Sequence, residues 1–302
     1  MKYKSSLLTQ LNTTPVLGVS LASVSLLRLD LCDGNAPGNK WFKLQGNITS
    51  ARQRGISKLV SFGGAWSNHL HAMAATGREL GLQTIGIVRG EEPHNPSPML
   101  VDAKAWGMEL VYVSRQEYRM KEESGYIGKL QARFGPCLVI PEGGGNLAGV
   151  EGCEAIGHLL AQEGCGNSTV VLAVGTGTTL AGIARGLGAT SGANLVGISV
   201  LKGAYDLGNR VVGFTGSECA HWHILHEHHC GGYARVSPAL RAFILAFEAV
   251  HNIPLDPVYT GKALFAVHQL IATGQWRENQ PVVMVHTGGL QGRRGFDWLS
   301  GV

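Results

Sequence analysis

The sequence predicts an α/β protein of two domains, each a mostly parallel open sheet with helices on both faces. Three observations carry this. From residue 57 short apolar runs alternate with longer helical patterns, the rhythm of a parallel sheet covered on both sides. A second series of the same kind starts near residue 149. Between the two, CLVIPEGGGN (137–146) runs an apolar strand into a glycine turn, which marks a boundary. Hydrophobic residues make up 44% and charged residues 15% of the 302-residue chain, so a sizeable core is available and disorder is excluded. The 43 glycines are about twice average usage, so many points need tight turns or close backbone approach.

Taken in order, VSLLRLDL (24–31) predicts an early strand, and GNKWFKLQGN (38–47) the start of a helix. SKLVSF (57–62) reads as a buried strand, 67–80 as a helix ended by Gly81, and TIGIVRG (84–90) as a second strand. After the turn signals Pro93, Asn95, Pro96 and Pro98, residues 99–106 read as a helix, ELVYV (109–113) as a strand and 115–134 as a helix. In the second series, 149–163 is a helix, TVVLAVG (169–175) a strand, 179–187 a helix and NLVGISV (194–200) a strand. Ser237-Pro238 opens a helix to residue 251, and PVVMVHTGG (281–289) is a late strand and turn. No internal repeat or low-complexity tract is present.

Composition excludes several functions. The net charge of +4 is mild, and the one tight basic cluster is Arg293-Arg294, so no nucleic-acid partner is expected. Six cysteines form no CxxC pair, which reads as reduced thiols in a cytoplasmic protein. MKYKSSLLTQLNTTP lacks an uninterrupted apolar core and a cleavage site, and no run of about 18 apolar residues occurs, so neither secretion nor a membrane span is expected. HWHILHEHHC (221–230) clusters His221, His223, His226, His228 and His229 before Cys230. It lacks an HExxH-type pattern, so it reads as a solvated or interface loop and no metal is expected. No Ser/His/Asp triad can be argued from spacing.

The chemistry gathers at glycine-rich strand ends. Lys40 and Lys43 lie three apart among Gly, Trp, Phe and Leu. Such a pair solvates a helix face, or it supplies a lysine whose pKa an apolar or cationic setting lowers into nucleophilic range. GTGTTLAG (175–182) follows a strand and opens a helix, so it is either a tight turn or an anion site of backbone N–H groups and threonine hydroxyls. It is neither a P-loop nor a dinucleotide fingerprint. FGGAWSNHL (62–70) puts Ser67 and Asn68 at a helix start, as caps or as polar groups in the crevice where open α/β sheets bind ligands. DPVYTGKA (256–263) presents Tyr259 and Thr260 before a helix, and VHTGGLQG (285–292) presents Thr287 at a strand end.

These five stretches, in this order, resemble the motifs of the pyridoxal-phosphate enzymes that include 1-aminocyclopropane-1-carboxylate (ACC) deaminase and D-cysteine desulfhydrase. GNKWFK is similar to that family's GNKxRK lysine motif, FGGAWSNH to its GGxxSN stretch and TGTTLAG to its phosphate cradle. The resemblance implies the tryptophan-synthase-β-like fold, with residues 44–145 as a small domain inserted in a large domain of 1–43 plus 146–302, and the cofactor in the cleft between them. It implies that Lys40 forms the Schiff base with pyridoxal 5'-phosphate and that Lys43, one turn on, tunes it or relays protons. Asn68 would bond the phenolic oxygen, and Gly175, Thr176, Gly177, Thr178 and Thr179 the phosphate. Ser67, Tyr259 and, in a poorly matched stretch, Tyr233 would face a small amino-acid substrate. Thr287, or else Thr260, would meet the pyridine nitrogen.

ACC deaminases carry Glu and Leu where this chain has Thr260 and Thr287, and threonine at both resembles D-cysteine desulfhydrases. A hydroxyl makes the ring a weaker electron sink than a carboxylate does, which suits expulsion of a thiolate from Cβ better than opening a cyclopropane. The expected reaction is therefore α,β-elimination from an amino acid such as D-cysteine, in a cytoplasmic homodimer. ACC deamination and non-catalytic cofactor binding are the alternatives. Two departures from the family pattern stand out: Arg28-Leu29-Asp30-Leu31 replaces its usual Lys-Arg-Glu-Asp run, and Phe42 replaces an arginine.

Overall fold

A computed structural model describes residues 6–32, 37–216, 218–276 and 281–299. The chain forms two compact units, Met1–Asp33 with Cys153–Leu290, and Gly34–Gly152 with Gln291–Val302. Both are α/β, as the alternating pattern predicts, and parallel pairing dominates both sheets.

The second unit holds a four-stranded sheet in the order β5-β4-β3-β6, from β3 (Lys58–Gly63), β4 (Gln83–Arg89), β5 (Glu109–Val113) and β6 (Leu138–Ile140). All its pairings are parallel; β3 and β4 run in register from Lys58↔Gln83 to Gly63↔Val88. Successive side chains point to opposite faces of a strand, so each face acquires its own core. Leu59 packs with Leu44, Ile48, Leu70 and Met73 from helices α1 (Asn39–Gln53) and α2 (Asn68–Leu80). Val60 and Phe62 pack on the other face with Tyr118, Tyr126 and Leu130 from α4 (Arg115–Arg119) and α5 (Ser124–Phe134). Full burial of each such side chain contributes about 1.5–3 kcal/mol. The sequence pattern merges α4 and α5 into one helix, whereas the chain breaks at 120–123. The break lets the Tyr126 hydroxyl reach Glu117, at 2.9 Å, and Gly125 and Gly128 weaken the drive to remain helical.

The first unit carries a six-stranded sheet in the order β1-β2-β10-β7-β8-β9. Its strands are β1 (Leu8–Gln10), β2 (Val24–Arg28), β7 (Thr169–Val174), β8 (Asn194–Ser199), β9 (His221–Leu225) and β10 (Val282–His286). Only β1 is antiparallel. The near-continuous apolar runs of β2, β7 and β10 are buried on both faces, as central parallel strands require. Helices α7 (Thr178–Leu187), α9 (Pro238–His251) and α10 (Thr260–Ala272) bury Leu180, Ile183, Phe243, Phe247, Leu264 and Val267.

The histidine stretch corrects its loop reading. His221–Leu225 is the edge strand β9, paired with β8 from Asn194↔His221 to Ile198↔Leu225. Histidine alternates there with Trp222 and Ile224, a period of two that the count of imidazoles obscures. Among the described residues no group of three or more His, Cys, Asp or Glu is arranged to hold a metal ion. No helix of the described residues is long and apolar enough to cross a membrane.

Candidate active site

In the second unit the lysine pair is set by the first turns of α1. Gly38 precedes the helix at φ 114, ψ −175, a conformation that suits glycine, and puts Lys40 in the first turn with Lys43 one turn on. Lys40 is partly exposed, while Lys43 is 2% exposed beside Phe42, where the family pattern has arginine. The Lys43 ammonium donates to the Gly143 carbonyl at 3.1 Å. The PEGGGN turn is tied to the same helix by a reciprocal amide pair. Asn146 donates to Asn47 at 2.8 Å, Asn47 donates back at 3.2 Å, and Asn47 also donates to the Lys43 carbonyl at 2.9 Å. A Cβ on Gly144, at φ 70, would lie 3.1 Å from Lys43 Cβ and 3.5 Å from His69 Cε1, so a bare Cα lets the lysine stem and that imidazole close over the turn.

Ser67 caps α2, its Oγ accepting from the Leu70 amide at 3.2 Å. Asn68 follows as the first helical residue, and its Oδ1 accepts from Gln291 Nε2 at 2.5 Å. That bond fixes which way the Asn68 amide faces and leaves its NH2 as the donor end. Arg294 continues the chain, bonding the Gln291 carbonyl at 3.2 Å and Asp102 at 2.6 Å. Asp102 also pairs with His71 at 3.0 Å. His69, next to Asn68, is 2% exposed and bonds Ser61 at 2.9 Å through Nε2.

In the first unit the turn Gly175–Thr176–Gly177 joins β7 to α7. Gly177 is the N-cap at φ 82, left-handed, and brings no side chain to the helix start. A Cβ there would lie 2.8 Å from Val211 Cγ2. The Thr176 and Thr178 hydroxyls are 2.9 Å apart, and Thr178 and Thr179 are buried. Tyr259 reaches this turn, its Cε1 being 3.5 Å from the position of a Cβ on Gly175. The Tyr233 ring stands edge-on to Tyr259, with centroids 6.3 Å apart. The Gly175–Gly177 turn, Tyr259 and Tyr233 are thus neighbours in one unit.

Buried charge organises the threonines. The Asp256 carboxylate accepts the Val258 amide at 3.0 Å and the Tyr259 amide at 2.6 Å, setting the start of α10. Burial pushes that carboxyl up to about 6, against the two amides and the charges of His286 and Lys262. Thr260 is fully buried, and its hydroxyl accepts from the Asp256 amide at 2.8 Å. Lys262, also fully buried, donates to the Gly232 carbonyl at 2.6 Å, and burial pushes its amine down. Thr287 lies buried just past β10, directly after His286. His286 pairs with Asp30 through Nδ1 at 3.0 Å and with the Pro254 carbonyl through Nε2 at 2.8 Å. Arg28 grips the same Asp30 with two bonds, at 2.8 and 2.7 Å. Burial raises the Asp30 carboxyl, but His286 and Arg28 outweigh it and hold it well below the usual carboxylate range.

Sequence reasoning named neither His69 nor Gln291, Asp256 nor His286. Only Asp256 had a local signal, an aspartate three residues before Tyr259 at a helix start.

The profile of the family described as "Pyridoxal-phosphate dependent enzyme" matches residues 9–288. A Pyrococcus horikoshii protein provisionally named 1-aminocyclopropane-1-carboxylate deaminase is 28% identical over 90% of this chain and 86% of its own length. A D-cysteine desulfhydrase of Salmonella choleraesuis is 26% identical over 83% of this chain and 82% of its own. The crystal structure of an ACC deaminase homologue superposes with a TM-score of 0.77 at 26% identity, covering 92% of this chain and 88% of that one. A processed threonine deaminase of Solanum lycopersicum shares the fold at a TM-score of 0.64, 13% identity, over 88% of this chain and 74% of its own.

Proposed function

This chain belongs to the pyridoxal-phosphate-dependent enzymes, and from that premise we propose that it catalyses α,β-elimination from a small amino acid, most like D-cysteine, to pyruvate, sulfide and ammonia. Its cofactor is pyridoxal 5'-phosphate, and it acts as a lyase or deaminase of the class that its relatives' names describe. The residues present fit that cofactor. A helix start led by a left-handed glycine turns backbone N–H groups and a positive dipole end toward an anion, and a second Cβ would crowd the turn.

When bound, pyridoxal phosphate supplies an aldehyde for the substrate amine and a conjugated ring that draws electrons from Cα. Lys40 would hold the cofactor's aldehyde through its amine, and its free amine would serve as the base for the Cα proton. Lys43, buried and anchored to Gly143 one turn on, tunes Lys40 or relays protons. The NH2 of Asn68, aimed by Gln291, donates to the phenolic oxygen. Gly175, Thr176, Gly177, Thr178 and Thr179 bind the phosphate, while Ser67, Tyr259 and Tyr233 face the substrate. Thr287, with Thr260 as the second choice, meets the pyridine nitrogen.

One observation favours elimination over ACC deamination. Both candidate partners of the pyridine nitrogen are buried threonines, at 7% and 0% exposure, and neither supplies the charge that keeps the ring nitrogen protonated. The relatives named as ACC deaminases support ACC deamination as the second reading. A panel of D- and L-amino acids with ACC, scored for pyruvate and 2-oxobutyrate, separates them. Pyruvate from D-cysteine or β-chloro-D-alanine is expected; 2-oxobutyrate from ACC with no elimination product would refute the electronic argument. The proposal extends to a homodimer acting in the cytoplasm, for which sedimentation is the direct test of assembly.

A further inference from the structure

The 3-10 helix Leu290–Gly295 lies against the first turns of α2 and carries an arginine that the roles above leave unused. The Arg294 guanidinium has donors only. Its Nη2 donates to Asp102 at 2.6 Å and to Gln291 Oε1 at 3.4 Å, and its Nε to the Gln291 carbonyl at 3.2 Å. The end of the Gln291 amide that faces Arg294 is therefore its oxygen, and Nε2 turns the other way, toward Asn68 Oδ1 at 2.5 Å and the Trp66 carbonyl at 3.4 Å. A reversed Gln291 amide would set NH2 against the guanidinium and an oxygen against the Trp66 carbonyl. Since Nε2 only donates, the Asn68 atom it meets is the oxygen, and NH2 is the other end. The arginine is itself anchored to the helix that carries Asn68. Asp102, on α3 (Pro98–Ala105), accepts from His71 Nε2 at 3.0 Å, and His71 follows Asn68 by one turn of α2. Burial raises the Asp102 carboxyl, but bonds from Arg294 and His71 outweigh it and hold it below its ordinary pKa. Gly295 closes on the same loop, where a Cβ would lie 3.1 Å from Trp66 Cη2.

We propose that Arg294 is a positioning residue that, through Gln291, sets which end of the Asn68 amide meets the cofactor's phenolic oxygen. The inference deepens the reading of Asn68 as the partner of that oxygen and rests on it. A phenolic oxygen that has lost its proton only accepts, so NH2 bonds it and a carbonyl oxygen repels it. An asparagine free to turn about its terminal torsion offers both ends. Two amides in series, begun by a group that cannot accept, offer one. No charge moves along this chain; what passes from Arg294 to Asn68 is the choice between donor and acceptor. The Arg294 and Asp102 side chains are 41% and 27% exposed, and an ion pair this open adds little to stability, so its effect falls on orientation.

The test follows equilibrium release of pyridoxal phosphate from the diluted holoenzyme by absorbance. Gln291→Glu keeps a partner for Arg294 but offers only acceptors, so it should draw the Asn68 NH2 to itself and turn the Asn68 oxygen toward the cofactor. The cofactor dissociation constant should rise at least about tenfold, the size of a hydrogen bond to a charged group. The absorbance band should move as it does in Asn68→Ala, which loses the same bond. Gln291→Ala and Arg294→Met only free the amide, so each should raise the constant about twofold, the value for two orientations equally populated. Arg294→Met should leave the unfolding midpoint in place. In an Asn68→Ala background Gln291→Glu should add less than about twofold, because the amide it turns is gone. Gln291→Glu binding no more weakly than Gln291→Ala, an equal loss with and without Asn68, or an unchanged constant in Arg294→Met overturns the proposal. An unchanged constant and band in Asn68→Ala overturns instead the reading of Asn68, a distinct failure because it involves no change at 291 or 294.

Discussion

Replacing Gly177 with alanine perturbs the proposed phosphate cradle by one carbon. The cost has two parts. Holding a non-glycine residue at φ 82 costs about 1–2 kcal/mol. The added Cβ would lie 2.8 Å from Val211 Cγ2, and Val211 is fully buried, so overpacking adds about 1–3 kcal/mol if the turn keeps its shape. The alternative is that the turn relaxes toward negative φ and swings its amides away from the anion. Each amide–phosphate bond lost then removes about 1.5–3 kcal/mol of affinity, or roughly tenfold to a hundredfold in the cofactor dissociation constant. Thermal unfolding of the cofactor-free protein reads the first outcome, and titration with pyridoxal phosphate followed by absorbance reads the second. Adding Val211→Ala should recover the packing part and leave the backbone part, a non-additivity that identifies direct contact. A folded Gly177→Ala protein with unchanged stability and unchanged cofactor affinity would refute the reasoning.

Three further outcomes are expected. Borohydride reduction followed by peptide mapping should find the pyridoxyl group on Lys40; finding it on Lys43 or Lys262 sinks the assignment, and Lys40→Ala should abolish turnover where Lys43→Ala weakens it. Thr260→Val should destabilise the cofactor-free protein by about 1–3 kcal/mol, because the buried Asp256 amide loses its acceptor at 2.8 Å; an unmoved unfolding midpoint would show that the hydroxyl does not hold the turn. Asp256 titrates at about 6 in the folded chain against about 3.9 unfolded, so its contribution is fully present below about pH 4, is lost as pH rises through about 6, and amounts to about 3 kcal/mol. Urea unfolding from pH 4 to 8 should show that decline in wild type and a flatter profile in Asp256→Asn, and parallel profiles would count against it.

Much of the fold was legible because parallel α/β structure writes itself locally. ELVYV (109–113) is the edge strand Glu109–Val113 and TVVLAVG (169–175) contains the central strand Thr169–Val174, since both are short apolar runs rich in β-branched residues. The helix over 67–80 is Asn68–Leu80, with Ser67 as its cap and Gly81 in the left-handed conformation beyond it. Elements without such contrast escaped. Leu207–Thr215 is a helix with glycines at 208 and 213 that blur its periodicity, and Leu8–Gln10 is too short for any pattern to register. Of the candidate site, the glycine turns and their threonines could be read because backbone conformation selects those residue types. The partners that set side chains could not. Gln291 meets Asn68 across 223 positions, and Asp30 meets His286 across the β2–β10 pairing, where Arg28 lies opposite His286. Arg28-Leu29-Asp30-Leu31 and VHTGG were both visible as stretches; strand order alone makes them one network.

That network bears on the threonines themselves. Thr260 sits one turn from a buried carboxyl whose proton affinity is already raised by lack of solvent, and its hydroxyl is bonded to that same aspartate's backbone. A glutamate at 260, as in ACC deaminases, would bring a second carboxylate into this pocket, where like charges in low dielectric oppose each other strongly. At Thr287 the preceding His286 is clamped between Asp30 and the Pro254 carbonyl, so the strand end that presents the hydroxyl is held from both sides. At position 260 the buried carboxyl nearby thus suits a neutral hydroxyl better than a second carboxylate. The electronic case for elimination and the packing of buried charge in the first unit therefore point the same way, although one concerns the cofactor ring and the other only this chain's own acids.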